Sequence, residues 1–253
     1  MKKLAIYIPS IESGGVEKNL YSISEYFLKK NIDLYIITAN TNKKKFFNKK
    51  AKFICPKNKN WNKSSRLVKN FICSILTIKN LKKTNIPIFS FQSNISAIIL
   101  SKILGLKIAI RLNTSLSKYM KGFLKKTFFK LVYNMSDKII VNSNIFKKEL
   151  KRTLSLDSIA ILNPLNVKKI INKKKINFFL NFNGIKIISI GRLTDQKSQI
   201  LILKSLKYLK RKKIKFKFFL IGKGDKLNEL KKYVKNNELV NHVKFAGYKK
   251  NAY

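Results

Sequence analysis

Three glycine-containing segments stand where an apolar, strand-like run gives way to a helical pattern, and each brings polar side chains to that junction. The first is Ser13-Gly14-Gly15-Val16-Glu17, which follows the run Leu4–Pro9. Glycines at a strand-to-helix turn let backbone N–H groups approach an anionic ligand, helped by the positive end of the helix. The same residues also make a tight turn that binds nothing. The second is Ser189-Ile190-Gly191-Arg192-Leu193-Thr194-Asp195-Gln196-Lys197. Arg192 carries a planar, permanently charged fork suited to phosphate oxygens. Lys197 lies where the following helix begins, so both cations can converge on one diphosphate leaving group; equally, they are two of 56 basic residues. The third, Leu220-Ile221-Gly222-Lys223-Gly224-Asp225, repeats the arrangement. No Gly-Lys-Ser/Thr follows at the spacing of a phosphate-binding P-loop, and a plain helix-start turn accounts for it as well.

These junctions need a scaffold of alternating strands and helices. Strands are predicted at Leu4–Pro9, Leu34–Thr38, Ala51–Cys55, Ile86–Phe91, Lys107–Leu112, Lys138–Asn142 and Ile159–Asn163. A second series follows at Lys186–Ile190, Lys215–Ile221 and Val243–Phe245. Their continuous hydrophobicity predicts strands covered on both faces, as in a parallel sheet. Between them, Val16–Lys30 places Leu20, Ile23, Tyr26 and Phe27 on one helical stripe. Lys118–Met135 does so with Met120, Leu124, Phe128, Leu131 and Val132. Ser198–Lys212 offers Leu201, Ser205 and Leu209, and Lys226–Asn237 offers Leu227, Leu230 and Val234. Strand and helix alternating in this way predict a doubly wound α/β fold. The break falls after Asn163-Pro164, where a polar Lys/Asn-rich stretch runs to Gly184. The expected division is a first domain at 1–165, a linker at 166–184 and a second domain at 185–253. With three strands, the second domain reads as incomplete, because its last strand would have an unpaired edge.

Charge and composition narrow the chemistry. The chain has 56 Lys+Arg against 11 Asp+Glu, a net charge of +45. Such a balance favours nucleic acid, anionic membrane or polyanionic substrates, within about 8 Å at physiological salt. The excess is mostly lysine, spread along the chain with abundant Asn, Ile and Phe, which is also the mark of AT-rich coding bias. A nucleic-acid reader would cluster basic and aromatic residues on one face. Here the lysines are diffuse and the aromatics fall in strands and helix stripes, so the expectation is weak non-specific binding and no specific nucleic-acid partner. Two separated cysteines, Cys55 and Cys73, fit reduced thiols and exclude a disulfide framework or a cysteine-based zinc site. No run reaches the roughly 18 apolar residues of a membrane span.

Taken in order, these segments resemble the family-4-like glycosyltransferases over nearly the whole chain. Tyr7-Ile8-Pro9 through Gly14-Gly15-Val16-Glu17 is similar to their N-terminal Gly-Gly-x-Glu loop, and Ile110-Arg111-Leu112-Asn113-Thr114 to their strand with a polar acceptor-side cluster. Val141-Asn142-Ser143 and Ile161-Leu162-Asn163-Pro164 are similar to the strand ends that lead into the hinge. Gly191-Arg192-Leu193 with Gln196-Lys197 is the most specific piece, and Ile221 to Asp225 and Val243 to Tyr248 complete the order.

The resemblance implies an α/β fold of GT-B type, two Rossmann-like doubly wound domains facing across a cleft, the second incomplete. It implies transfer of a hexose-type sugar from a nucleoside diphosphate sugar to a glycan or lipid-linked acceptor, with retention and without a divalent metal. No cofactor is implied beyond the donor substrate. Arg192 and Lys197 would hold the diphosphate, Gly14, Gly15, Gly222 and Gly224 would line the donor site, and Asn113 would take a catalytic place near the transferred sugar. The implied setting is cytoplasmic, with peripheral contact on the inner face of the plasma membrane. Two departures stand out. Leu112 occupies the segment where many relatives carry histidine, and the only histidine, His242, precedes a strand. The relatives' Glu-rich donor-sugar motif lies further along than Tyr253, which implies weak turnover for a chain of this length.

Overall fold

The computed structural model describes residues 2–12, 15–114, 122–165, 179 and 181–249. The chain forms two compact units, Met1–Asn166 and Val167–Tyr253. Most of the expected linker, 166–178 and 180, lies outside the described residues, as do Gly14 and the start of the Lys118–Met135 pattern.

All ten apolar runs are strands, and all pair in parallel. In the first unit they are β1 (Lys3–Tyr7), β2 (Asp33–Ile37), β3 (Lys52–Ile54), β4 (Ile88–Ser90), β5 (Ile108–Leu112), β6 (Lys138–Val141) and β7 (Ile159–Ala160). Their order across the sheet is β3-β2-β1-β4-β5-β6-β7. The intervening helices are α1 (Gly15–Lys29), α2 (Arg66–Leu81), α3 (Asn94–Ile103), α4 (Phe123–Asn134) and α5 (Asn144–Leu154). Alternation along a strand sends successive side chains to opposite faces. Thus Ile6, Leu34, Ile36 and Phe89 pack with Leu20 of α1 on one face. Ala5, Tyr7, Ile37 and Ile110 meet Cys73, Ile98, Val132 and Leu150 of α2 to α5 on the other. Because crossovers are right-handed, helices change face where strand order reverses, and here that point lies between β1 and β4.

Short polar contacts fix these helices to the sheet. The buried Tyr7 hydroxyl donates to Asn70 Oδ1 of α2 at 2.8 Å, and Asn70 Nδ2 donates to Ser96 Oγ of α3 at 2.8 Å. Ser65 and Ser143 cap α2 and α5, accepting from the N–H groups of Val68 and Phe146.

The second unit holds β8 (Ile185–Ile190), β9 (Phe216–Ile221) and β10 (Val243–Gly247), with α6 (Gln199–Arg211) and α7 (Leu227–Asn236). The order is β10-β9-β8, so both crossovers run the same way and both helices cover one face. Leu203, Leu206, Leu230 and Val234 pack there against Phe216, Phe218 and Leu220.

Four expectations about faces are corrected. Strand β8 is not covered on both sides: Ile188 and Ile190 are 46% and 54% exposed, because β8 is an edge strand and the helices serve the other face. In α4 the inward residues are Phe129, Val132 and Tyr133, while Leu124, Phe128 and Leu131 of the predicted stripe are exposed. In α6, Leu203 and Leu206 are buried and Leu201 is exposed; Tyr26 of α1 is likewise exposed. Each helix carries apolar residues on two adjacent stripes, and periodicity does not say which one meets the sheet.

Cys73 is fully buried in the first core, and burial pushes its thiol up to about 12, whereas Cys55 is partly exposed. The thiolate is the reactive form. The native protein at about pH 8 should therefore label rapidly at Cys55 alone with a disulfide reagent, and at Cys73 only after unfolding. Rapid labelling of both in the native state would contradict this packing.

Candidate functional site

The carboxyl ends of β1, β4, β5 and β6 carry the polar groups of the first unit. Beyond β1, the Ile11 N–H donates to Asn40 Oδ1 at 2.9 Å, and the Glu12 N–H donates to Glu17 Oε1 at 3.2 Å. Glu17, buried in the first turn of α1, thereby holds the Glu12 backbone. Arg66 of α2 holds the Glu12 side chain, its Nη2 lying 2.8 Å from Glu12 Oε1. Gly15 opens α1, and a Cβ placed on it would meet nothing within 4 Å. Packing therefore does not require glycine there; the open space leaves its backbone accessible. Gly14 lies outside the described residues.

Asn113 follows β5 directly. Its Nδ2 donates to the Phe91 carbonyl at 3.2 Å, and its own carbonyl accepts from Asn142 Nδ2 at 3.5 Å. Beside it, Ser90 Oγ donates to Asn94 Oδ1 at 2.7 Å, and Asn94 Nδ2 donates to the Arg111 carbonyl at 3.2 Å. The result is a row of neutral amides and hydroxyls, suited to binding other neutral hydroxyl groups.

Arg111 was named in the sequence only as part of a strand, yet it is among the largest fully buried side chains. Its Nη2 donates to the Ile161 carbonyl at 3.2 Å and to Asn163 Oδ1 at 2.9 Å, while its Nε has no partner among the described residues. Burial lowers its pKa, and no carboxylate offsets that burial. A side chain from β5 thus reaches past β6 and fixes the segment after β7. The available signal was an arginine inside an otherwise apolar strand.

In the second unit, the loops after β8 and β9 lie against one another. Gly191 N–H donates to the Ile221 carbonyl and Leu193 N–H to the Lys223 carbonyl, both at 3.0 Å. Lys226 N–H returns a bond to the Leu193 carbonyl at 3.1 Å. A Cβ on Gly222 would lie 1.8 Å from the Gly191 carbonyl oxygen, and one on Gly224 would lie 2.1 Å from that of Leu193. These two glycines are accounted for by the close approach of the loops. Gly191 differs: a Cβ there would meet only the methylenes of Lys197, the nearest at 3.7 Å. The Lys197 side chain therefore lies over Gly191, the residue that precedes Arg192 in the chain. Gln199, buried at the start of α6, donates from Nε2 to the Arg192 carbonyl at 2.8 Å and fixes this turn.

The surrounding charges separate committed cations from free ones. Lys226 sits 3.0 Å from Asp195 and 2.9 Å from Glu229, and these partners raise its pKa. Lys223 lies over the Tyr248 ring at 5.4 Å. Arg192 and Lys197 are exposed and have no ion pair with any described residue.

Each unit is a parallel α/β sheet with polar loops gathered at the carboxyl ends of its strands, and the solved structures that superpose on the chain have the GT-B fold. The family described as "Glycosyl transferases group 1" matches residues 171–253. The "uncharacterized glycosyltransferase MJ1059" of Methanocaldococcus jannaschii is 27% identical over 154 residues, which is 56% of this chain and 37% of that protein. The chain thus matches little more than a third of that relative's length. Among solved structures, Anabaena Alr3699/HepE in complex with UDP superposes with a TM-score of 0.70 at 16% identity, covering 100% of this chain and 70% of HepE. A glycosyltransferase from Rickettsia africae gives 0.71 at 17% identity, covering 99% and 69%. TarM of S. aureus gives 0.72 at 11% identity, covering 99% and 77%. At these identities the likeness is one of fold.

The loop packing makes a contrast that melting can check. Gly222→Ala should lower the stability of the second unit by more than about 3 kcal/mol, because backbone must move. Gly191→Ala, which meets only a flexible lysine chain, should cost less than about 1 kcal/mol. Equal melting temperatures for the two variants would contradict the loop contact.

Proposed function

We propose that this protein is a glycosyltransferase that moves a hexose-type sugar from a nucleoside diphosphate sugar to a glycan or lipid-linked acceptor. The observation that carries the reading is the pair of uncommitted cations, Arg192 and Lys197, at the carboxyl end of β8, with Lys197 laid along the Gly191 backbone. Breaking the bond between a sugar and a diphosphate leaves negative charge on the leaving group. Positive groups fixed in advance where that charge develops lower the barrier. A guanidinium fork and an ammonium beside one turn supply that charge, and the neighbouring lysine is neutralised by its own carboxylates. HepE, a neighbour in fold, is known in complex with UDP and with UDP-glucose, which makes UDP the natural probe.

In the same reading the transfer is retaining and relies on these side chains rather than on a divalent metal. Asn113 spends its amide N–H on the Phe91 carbonyl, which leaves Oδ1 to accept from a sugar hydroxyl. Gly15, with free space beside its Cα, offers its backbone to the donor or the acceptor.

UDP titration by calorimetry tests the assignment. Charged hydrogen bonds contribute about 1.5–3 kcal/mol, so Arg192→Ala and Lys197→Ala should each weaken UDP about 10- to 150-fold. Lys226→Ala, which removes an already paired cation, should change affinity less than about threefold. A double Arg192→Ala/Lys197→Ala variant that binds UDP like the wild type would overturn the proposal.

A further inference from the structure

The first unit holds a cation that its own fold does not use. Helix α2 turns one stripe toward the sheet, and its buried residues recur every four positions: Lys69, Cys73, Thr77 and Leu81. The last three suit that place. Cys73 packs with Ala5, Tyr7, Ile37 and Ala39, and the Thr77 hydroxyl donates to the Cys73 carbonyl at 2.7 Å. Lys69 does not suit it. The residue is 8% exposed, yet its ammonium makes no hydrogen bond or ion pair with any described residue.

Its helix fixes where Lys69 stands. A helix that joins parallel strands starts at the carboxyl edge of the sheet, and α2 starts at Arg66. Lys69 is one turn nearer that edge than Cys73, and its neighbour Asn70 accepts from the Tyr7 hydroxyl at the end of β1. Helical side chains lean toward the N-terminus of their helix, which carries the ammonium toward the loops after β1 and β2. Those loops are tied together there: Ala39 N–H donates to the Pro9 carbonyl at 3.2 Å, and Ile11 N–H donates to Asn40 Oδ1 at 2.9 Å.

The carboxylates that could answer Lys69 are occupied. No Asp or Glu occurs from residue 34 to residue 136. Glu12, in the loop after β1, accepts from Nε and Nη2 of Arg66 at 3.1 and 2.8 Å, and Glu17 accepts from the Glu12 N–H. Arg66 lies three residues before Lys69 on the helix and takes the acid of that loop. A buried ammonium without a partner costs stability, and methionine would fill the same stripe without that cost. Lysine can also lie along apolar surface with its head in water, but Lys79, farther along α2, does this while exposed.

We propose that Lys69 receives the negative group of an acidic sugar acceptor, a carboxylate or a phosphate, at the carboxyl edge of the first unit. The inference rests on the glycosyltransferase reading above, in which the second unit takes the donor diphosphate and the polar edge of the first is left to the acceptor. The amides and hydroxyls of Ser90, Asn94 and Asn113 along that edge suit neutral hydroxyl groups, and Lys69 adds a charge that they lack. An ammonium is a compact point charge that meets either anion, whereas the planar fork of Arg66 is spent on Glu12.

Calorimetric titration of the 1–253 protein with glucose, glucuronate and glucose 1-phosphate tests this. The Arg192→Ala/Lys197→Ala variant serves as the background, so that a phosphate held in the second unit does not contribute. At least one of the two anions should bind about tenfold or more tightly than glucose, and the one that does so names the acidic group. Adding Lys69→Met should abolish that preference, whereas Lys69→Arg should keep it within about threefold. Lys79→Met removes an exposed lysine of the same helix and should leave it within about twofold. Lys69→Met alone should melt at or above the wild-type temperature, because an uncharged chain replaces an unpaired ammonium. Absence of any preference for an anion would overturn the proposal, and so would a preference that survives Lys69→Met. A loss as large in Lys79→Met would reduce the effect to diffuse attraction, and a Lys69→Met protein that melts well below the wild type would give the ammonium a role in the fold; either result sinks the assignment. UDP titration of the unaltered protein judges the donor site by itself, so the two readings can fail separately.

Discussion

Parallel pairing of strands is the constraint from which the rest of this molecule follows. A parallel neighbour cannot be reached by a hairpin, so each strand is followed by a crossover, and every strand-to-helix loop emerges at the same edge of its sheet. In the first unit that edge collects the loop after β1, the Ser90–Asn94 turn, Asn113 and Asn142. In the second it collects the Gly191–Lys197 turn and the loop of Gly222 and Gly224. Residues far apart in sequence become neighbours without any device beyond the sheet. The loops then lock to one another, as in the mutual hydrogen bonds of Gly191, Leu193 and Lys223.

A second constraint is the shortage of carboxylates. With 11 acidic residues among 253, most cations have no ionic partner, and the fold is held by other means. Tyr7, Asn70 and Ser96 join β1, α2 and α3 through neutral hydrogen bonds. Arg111 is buried against a carbonyl and an asparagine amide rather than a carboxylate. Where a carboxylate is present, it decides which cation is used up. Asp195 and Glu229 occupy Lys226, and Arg192 and Lys197 have no ion pair with any described residue. The same shortage leaves the helical face of α2 to α4 with lysines and apolar residues and almost nothing to neutralise them.

Much of this was legible in the chain. Ten continuous apolar runs marked ten strands, although only the sheet of the first unit has helices on both faces, and the glycine turns marked places where strands end. The Arg192 to Lys197 segment stood out because it follows such a strand. Other features were not legible. Leu124, Phe128 and Leu131 have the spacing of a packing stripe, and only contact with the sheet reveals that Phe129, Val132 and Tyr133 are the ones that pack. Gly222 and Gly224 read as a plain helix-start turn, given a donor-site place only by the resemblance, and the sequence does not show that the neighbouring loop fills the space a side chain would need. Arg111 read as one charge in a strand, since the partners that receive it lie fifty residues away.

The sequence alone determined the kind of sheet, the number of strands and the positions of the loops, because these depend on local hydrophobicity and local turn chemistry. Tertiary structure decided which helix face is buried, which cations are free and which glycines are forced. Those outcomes depend on what stands opposite each residue, and that is a property of the packed chain rather than of any stretch along it.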